Sequence, residues 1–121
     1  MGGIIGIVGK TAVAPLLLET VAGFEDRRGD YCGLAILDEE VGIELRKDVG
    51  AVEDVAIRFD MISTSGELGI GQTQRATHRV LAAENAHPHL SCDRSFAVVH
   101  NGMISATARP RQSLLFFGHR Y

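Results

Sequence analysis

Met1-Gly2-Gly3-Ile4-Ile5-Gly6-Ile7-Val8-Gly9-Lys10-Thr11 opens the chain, and two readings compete for it. Gly9-Lys10-Thr11 has the ending of a phosphate-binding loop, G-x-x-x-x-G-K-[ST], whose backbone N–H groups converge on one phosphate. That motif needs its first glycine at residue 4, where the chain has Ile4, and Gly3 stands one place too early. A slip of one residue re-aims the whole nest of N–H groups. Such a loop also follows a strand, and only two residues precede Gly3. The apolar run Ile4 to Val8, bounded by glycines, reads instead as a short buried strand. Residue 2 then stands at the entrance to that strand.

One domain with one core fits a chain of 121 residues. Hydrophobic residues make up 45% and charged residues 22%, an ordinary globular balance. The net charge of −3, with lysine and arginine scattered rather than striped, gives no footprint for nucleic acid. Cys32 and Cys92 are too few for a disulfide framework and point to a reducing, cytoplasmic setting. The chain opens with no charged segment followed by an apolar one, as a secretory signal would need. The apolar run Ala12 to Phe24 is interrupted by Pro15, Glu19 and Thr20 and is too short to span a bilayer. Gly6 stands where myristoylation requires Ser or Thr.

Beyond the first strand, Thr11 is placed to cap a helix with Pro15 in its first turn. Val13, Leu17, Val21 and Phe24 recur at helical spacing and form one apolar face. Leu34 to Leu37 and Ile43 to Leu45 flank the acidic turn Asp38-Glu39-Glu40 and read as a hairpin. Val52, Val55, Ala56, Phe59 and Ile62 predict a second helix. Leu68 to Ile70 and Phe96 to Val99 are two more short strands. Between them runs a polar segment from Gln74 to Ser95, long enough that function is its usual explanation. The basic cluster Arg109-Pro110-Arg111 reads as a solvated helix start. These elements predict an α+β or α/β sandwich, with strands packed between helices.

Six stretches share one further property. GIIGIVGK, APLLLE, LAILD, GIGQTQRATH, ENAHPH and AVVHNG, in this order and spacing, resemble the class II glutamine amidotransferase domain. The likeness runs over residues 1–121 and is strongest at 3–20 and 68–102. It implies the αββα sandwich of the N-terminal nucleophile hydrolases, of which these residues would be an incomplete first half. In that family the initiator methionine is removed to expose a cysteine. Its thiol attacks the side-chain amide of L-glutamine, with its own α-amine as general base. An Asn-Gly pair forms the oxyanion hole, which by position is Asn101 and Gly102. Alone, Asn-Gly would more often be a hairpin turn. Thr77 and His78 fall where the family contacts glutamine, and Arg27 and Asp30 match an Arg and an Asp after the first helix. No cofactor is implied. The nearest branch of the family passes ammonia to a separate sugar isomerase domain, which has no counterpart in these residues.

Four positions depart from the family pattern. Gly2 occupies the nucleophile position, and glycine has no side chain from which a thiolate can form. Cys32 and Cys92 carry no free α-amine, and Cys32 falls at a small core-facing position where a packed, inert thiol is expected. Gln74 replaces the arginine that pairs with the substrate carboxylate, an interaction worth about 1.5–3 kcal/mol. Arg75 and Arg79 replace a Trp and a Gly. The family's Asp that binds the substrate α-amine is expected beyond Tyr121.

Two functions stay open: an inactive glutaminase fragment, or a binding module that retains the scaffold. A zinc site from His87, His89, Cys92 and His100 is conceivable, but ENAHPH is carried by the family without a metal, and polar-loop histidines explain it better. Glutamine binding is expected to be weak. The half-sandwich is expected to leave open edges and apolar faces that drive homo-oligomerisation.

Overall fold

The computed structural model describes residues 2–25, 29–75 and 81–120. Strand β1 spans Gly3–Val8 and helix α1 Ala14–Gly23, followed by strands β2 (Tyr31–Asp38) and β3 (Gly42–Val49). Helix α2 (Val52–Arg58) leads through a short 3₁₀ turn, Met61–Ser63, to strand β4 (Leu68–Gln74). A 3₁₀ turn at Ala83–Asn85, the two-residue strands β5 (His89–Leu90) and β6 (Ala97–Val98), and helix α3 (Ala108–Phe116) complete the order.

The first four strands form one antiparallel sheet in the order β1-β4-β2-β3. Side chains alternate between its faces, and the two faces differ. Cys32, Leu34 and Ile36 of β2 turn to one side and meet Val13, Leu17 and Val21 of the α1 segment, Val52 and Val55 of α2, and Met61, all nearly inaccessible to water. Both helices lie on this side, so the architecture is α+β. Among the described residues, neither α1, α2 nor α3 covers the opposite face. Instead, the segment 84–101 covers the end near Gly33 and Gln72, while Leu37 and Leu68, each about two-fifths exposed, remain bare at the other end. Ile4, opposite Gln72 on the edge strand β1, is about two-fifths exposed as well.

The β2–β3 hairpin and the buried positions Val13, Leu17 and Val21 of the α1 face are as expected, whereas Phe24 is exposed. β1 is a strand as expected, but an edge strand with Ile4 and Val8 exposed rather than a buried one, since no strand pairs with its outer side among the described residues. Three further details differ. Val13, not Thr11, stands at the N-cap of α1, and no side chain caps it. The second helix stops at Arg58, because Asp60 takes a left-handed conformation (φ +49°) that re-aims the chain. Met61 is thereby buried, while Ile62, at the helical spacing, is exposed. Strand β4 runs on to Gln74, and β6 is confined to Ala97–Val98, pairing with β5 rather than joining the main sheet. The solvated reading of Arg109 and Arg111 stands, since every side chain of α3 is exposed.

Candidate active site around residue 2

Strand pairing sets Gly3 opposite Thr73, so Gly2 enters the sheet beside the end of β4. Its backbone is pressed against that strand. A Cβ added to Gly2 would lie 2.0 Å from the Thr73 carbonyl oxygen and 2.9 Å from Gln74 Cα. No side chain fits at residue 2 while β1 keeps this position.

Asn101 is brought to the same place from 99 residues away. Its Nδ2 donates to the Gly2 carbonyl oxygen at 3.0 Å. Its Oδ1 accepts a hydrogen bond from Nε2 of Gln72. Gln72 is 1% exposed, and its Nε2 also donates to the His100 carbonyl oxygen at 3.2 Å. The Gln72 Oε1 is buried and has no partner among the described residues. Gly102 follows with φ +144°, a conformation that favours glycine. Among the described residues no strand follows it, so this Asn-Gly is not a hairpin turn.

Behind Asn101 lies a polar support built from ENAHPH. The His100 N–H donates to Nδ1 of His87 at 3.2 Å, which makes His87 a neutral acceptor. Burial, then the neighbouring His89, Lys47 and His100, push the His87 imidazole down to about 4. Burial and Lys47 lower His89 as well. Lys47 Nζ donates to the Ala86 carbonyl at 2.7 Å and lies 3.4 Å from His89 Nδ1. Its own affinity for a proton is lowered by burial and partly restored by Glu84. The segment can approach the sheet because Gly33 faces it: a Cβ there would fall 2.0 Å from the His87 carbonyl oxygen.

The remaining sequence candidates divide. Gln74 pairs its carbonyl with the Asp30 N–H at 3.1 Å, and the adjacent Arg75 is exposed. Arg27, Thr77, His78 and Arg79 lie outside the described residues. Cys32 is fully buried, and burial, then Glu25, pushes its thiol up to about 12, which leaves no thiolate at neutral pH. Cys92 is exposed, with Sγ 3.3 Å from Nδ1 of His119. His87 and His89 stack edge-on at 4.3 Å, and among the described residues no group of three or more His, Cys, Asp or Glu could hold a metal. Two residues escaped sequence reading. Gln72 gave no signal beyond being a polar residue in an apolar strand. Glu25 accepts from Gly29 N–H at 2.9 Å and from the Val52 N–H at the start of α2 at 3.1 Å, a long-range cap invisible to local patterns.

No family model matches the chain. Curated relatives do, from end to end, and they are enzymes of the glutamine amidotransferase class, in agreement with the motifs above. In particular, the chain is a relative of the glutamine–fructose-6-phosphate aminotransferases (isomerising). It is 35% identical over 119 residues to the one from Methanococcus maripaludis, 38% over 120 to that of Methanothermobacter thermautotrophicus and 36% over 121 to that of Clostridium tetani. These alignments cover 98%, 98% and 100% of this chain and 20% of each relative, so the chain spans about one fifth of their length.

Proposed function

We propose that these residues are the N-terminal part of a glutaminase domain, the part that would carry the nucleophile position, in which glutamine hydrolysis has been lost. The observation that carries this reading is Gly2. The relatives' name describes a transfer of nitrogen from glutamine to fructose 6-phosphate. In the amidotransferase mechanism, that nitrogen is released when a thiol at this position attacks the amide carbon. Asn101 and Gly102 are the candidate oxyanion donors, and the 3.0 Å contact from Asn101 Nδ2 to residue 2 supports that assignment. With glycine at residue 2 no covalent intermediate can form. In serine proteases loss of the nucleophile removes about 10⁶ of the rate, and a similar deficit is expected here.

The α+β layer fits the first half of an αββα sandwich, with the bare end of the sheet as the surface that a second sheet would meet. Exposed Ile4, Val8, Leu37 and Leu68 favour self-association. Free L-glutamine is expected to bind with a dissociation constant in the millimolar range or weaker, about −4 kcal/mol or less, because Gln74 offers no cation to its carboxylate.

The test is glutamate release from glutamine by the purified chain. No release above background is expected, and turnover that persists after the cysteines are blocked would overturn the reading. A second reading, a binding module on the retained scaffold, is favoured by the intact Asn101 placement. Calorimetry separates the two: micromolar glutamine affinity supports the second. A Gly2→Cys substitution is not a simple restoration, since its Cβ would collide with the Thr73 carbonyl unless β1 shifts.

A further inference from the structure

We propose that Gln72 is the positioning residue of Asn101, and that the Asn101 donor it presents is occupied from within by the Gly2 carbonyl. The importance of Asn101 rests on the function proposed above; its orientation and occupancy do not.

A carboxamide presents an oxygen and an NH₂ group of nearly equal shape, so an exposed Asn has no orientation of its own. Gln72 supplies one. Its Nε2 faces two acceptors, the His100 carbonyl and Asn101 Oδ1, and has two protons to give them. Reversing Gln72 would set Oε1 against two oxygens, so its orientation is dictated. Asn101 must then keep Oδ1 toward Gln72 and Nδ2 toward residue 2. The arrangement leaves Gln72 Oε1 buried and unpaired among the described residues. Stability alone would favour an apolar side chain at such a position. A glutamine that leaves a buried acceptor unpaired is accounted for by the orientation it imposes.

The donor so presented is not open. Gly2 O sits 3.0 Å from Nδ2, where the carbonyl oxygen of an amide or acyl ligand would have to lie. Gly2 reaches that position only because it lacks a Cβ, which would overlap the Thr73 carbonyl. Glycine at residue 2 therefore both removes a nucleophile and lets the chain fill its own hydrogen-bond donor. Any primary amide, L-glutamine included, must displace the start of β1 to use Asn101.

The experiment is amide NMR on the 121-residue chain labelled with ¹⁵N at asparagine side chains. The chain has two asparagines, and exposed Asn85 serves as the internal control. In the parent, the Asn101 side-chain NH₂ is expected to exchange with water at least ~10-fold more slowly than that of Asn85. Gln72→Leu and Gln72→Met, neither of which has a proton to offer Asn101 Oδ1, should both abolish that protection. Gly2→Ala should do the same by displacing residue 2, while Asn101 keeps its orientation toward Gln72. Equal exchange at Asn101 and Asn85 in the parent overturns the proposal without needing any variant. Protection that survives Gln72→Leu and Gln72→Met overturns the positioning role. Protection that survives Gly2→Ala overturns the internal occupancy. Glutamate release by the parent would overturn the proposed function and leave these readings in place.

Discussion

On one face of the sheet, Leu17, Val21, Leu34, Ile36, Val55 and Met61 lose almost all contact with water. On the other, Ile4, Leu37 and Leu68 keep 40%, 41% and 40% of their accessible surface, and Val8 keeps 81%. Both faces are lined by strands of similar apolar content, so hydrophobicity alone does not explain the contrast. What differs is the cover. The α1 and α2 segments follow β1 and β3 directly in sequence and pack onto one side. Among the described residues, the opposite side receives only the 84–101 segment, which brings mostly polar groups (Asn101, His87, His89 and the backbone met by Lys47) with buried Ala86 and Pro88, and not a continuous apolar layer. Stability therefore resides on the helix-covered face and the candidate chemistry on the other.

That division makes its largest claim at Leu17. Leu17→Ala should cost about 2–5 kcal/mol, because a fully buried leucine leaves a cavity that its neighbours only partly fill. The same truncation of Leu68, on the bare side, should cost less than about 1 kcal/mol. Urea unfolding of the two variants measures the difference. Equal losses would show that both faces are sealed in solution, by an oligomer or otherwise.

Gly33→Ala attacks the other face where the polar segment touches it. The added Cβ would overlap the His87 carbonyl oxygen at 2.0 Å and push the segment off Lys47. A cost of about 1–3 kcal/mol is expected for the overpacking. Proteolysis between residues 84 and 101 should accelerate while the backbone spectrum of β1, β2 and β4 stays native. Loss of the whole sheet spectrum would mean that the two faces fold as one unit.

Acid should act on the same support. His87 is held near 4 in the folded chain, against 6.5 for an unperturbed histidine. Between those values the unfolded chain takes up the proton and the folded chain does not. Stability is then complete above about pH 6.5 and falls as pH drops toward 4, where the His87 contribution levels off. With solvent screening of this half-exposed group, the loss should be no more than about 1–2 kcal/mol. Melting curves across this range, with His87→Gln as the control, measure it. An unchanged slope in the variant would show that His87 is not the group responsible.

The smallest effect on stability is expected at Val8→Thr, within about 0.5 kcal/mol, since Val8 is largely in water already. Its effect on association should be plain: light scattering over a dilution series should show a weaker assembly than the parent. An unaltered assembly would place the contact elsewhere than the bare end of the sheet.

Elements whose pattern is local were legible in the residues. Ile4 to Val8 could be read as a strand from its apolar run and bounding glycines. The β2–β3 hairpin announced itself through Asp38-Glu39-Glu40, and α1 through Val13, Leu17 and Val21. Asn101, Gly102 and the substitution at Gly2 were found through ordered motifs, because motif order survives where individual contacts cannot be computed. Ile62 was misplaced for a physical reason: helical spacing continues on paper past Asp60, whereas the backbone there turns left-handed and buries Met61 instead.

The sequence by itself determined the main strands and helices (β1, the β2–β3 hairpin, α1 and the start of α2), that residue 2 has no side chain, and which relatives the chain has. These follow from periodicity, composition and motif order, each a property of neighbours along the chain. Only the tertiary structure decided that Gln72 grips Asn101, that the Gly2 carbonyl meets the Asn101 amide, that Glu25 caps α2, and that one face of the sheet stays partly bare. Each of those is a contact between residues 27 to 99 positions apart, or the absence of one. Such contacts depend on distances and orientations that come into being only when β1, β4 and the 84–101 segment are packed together.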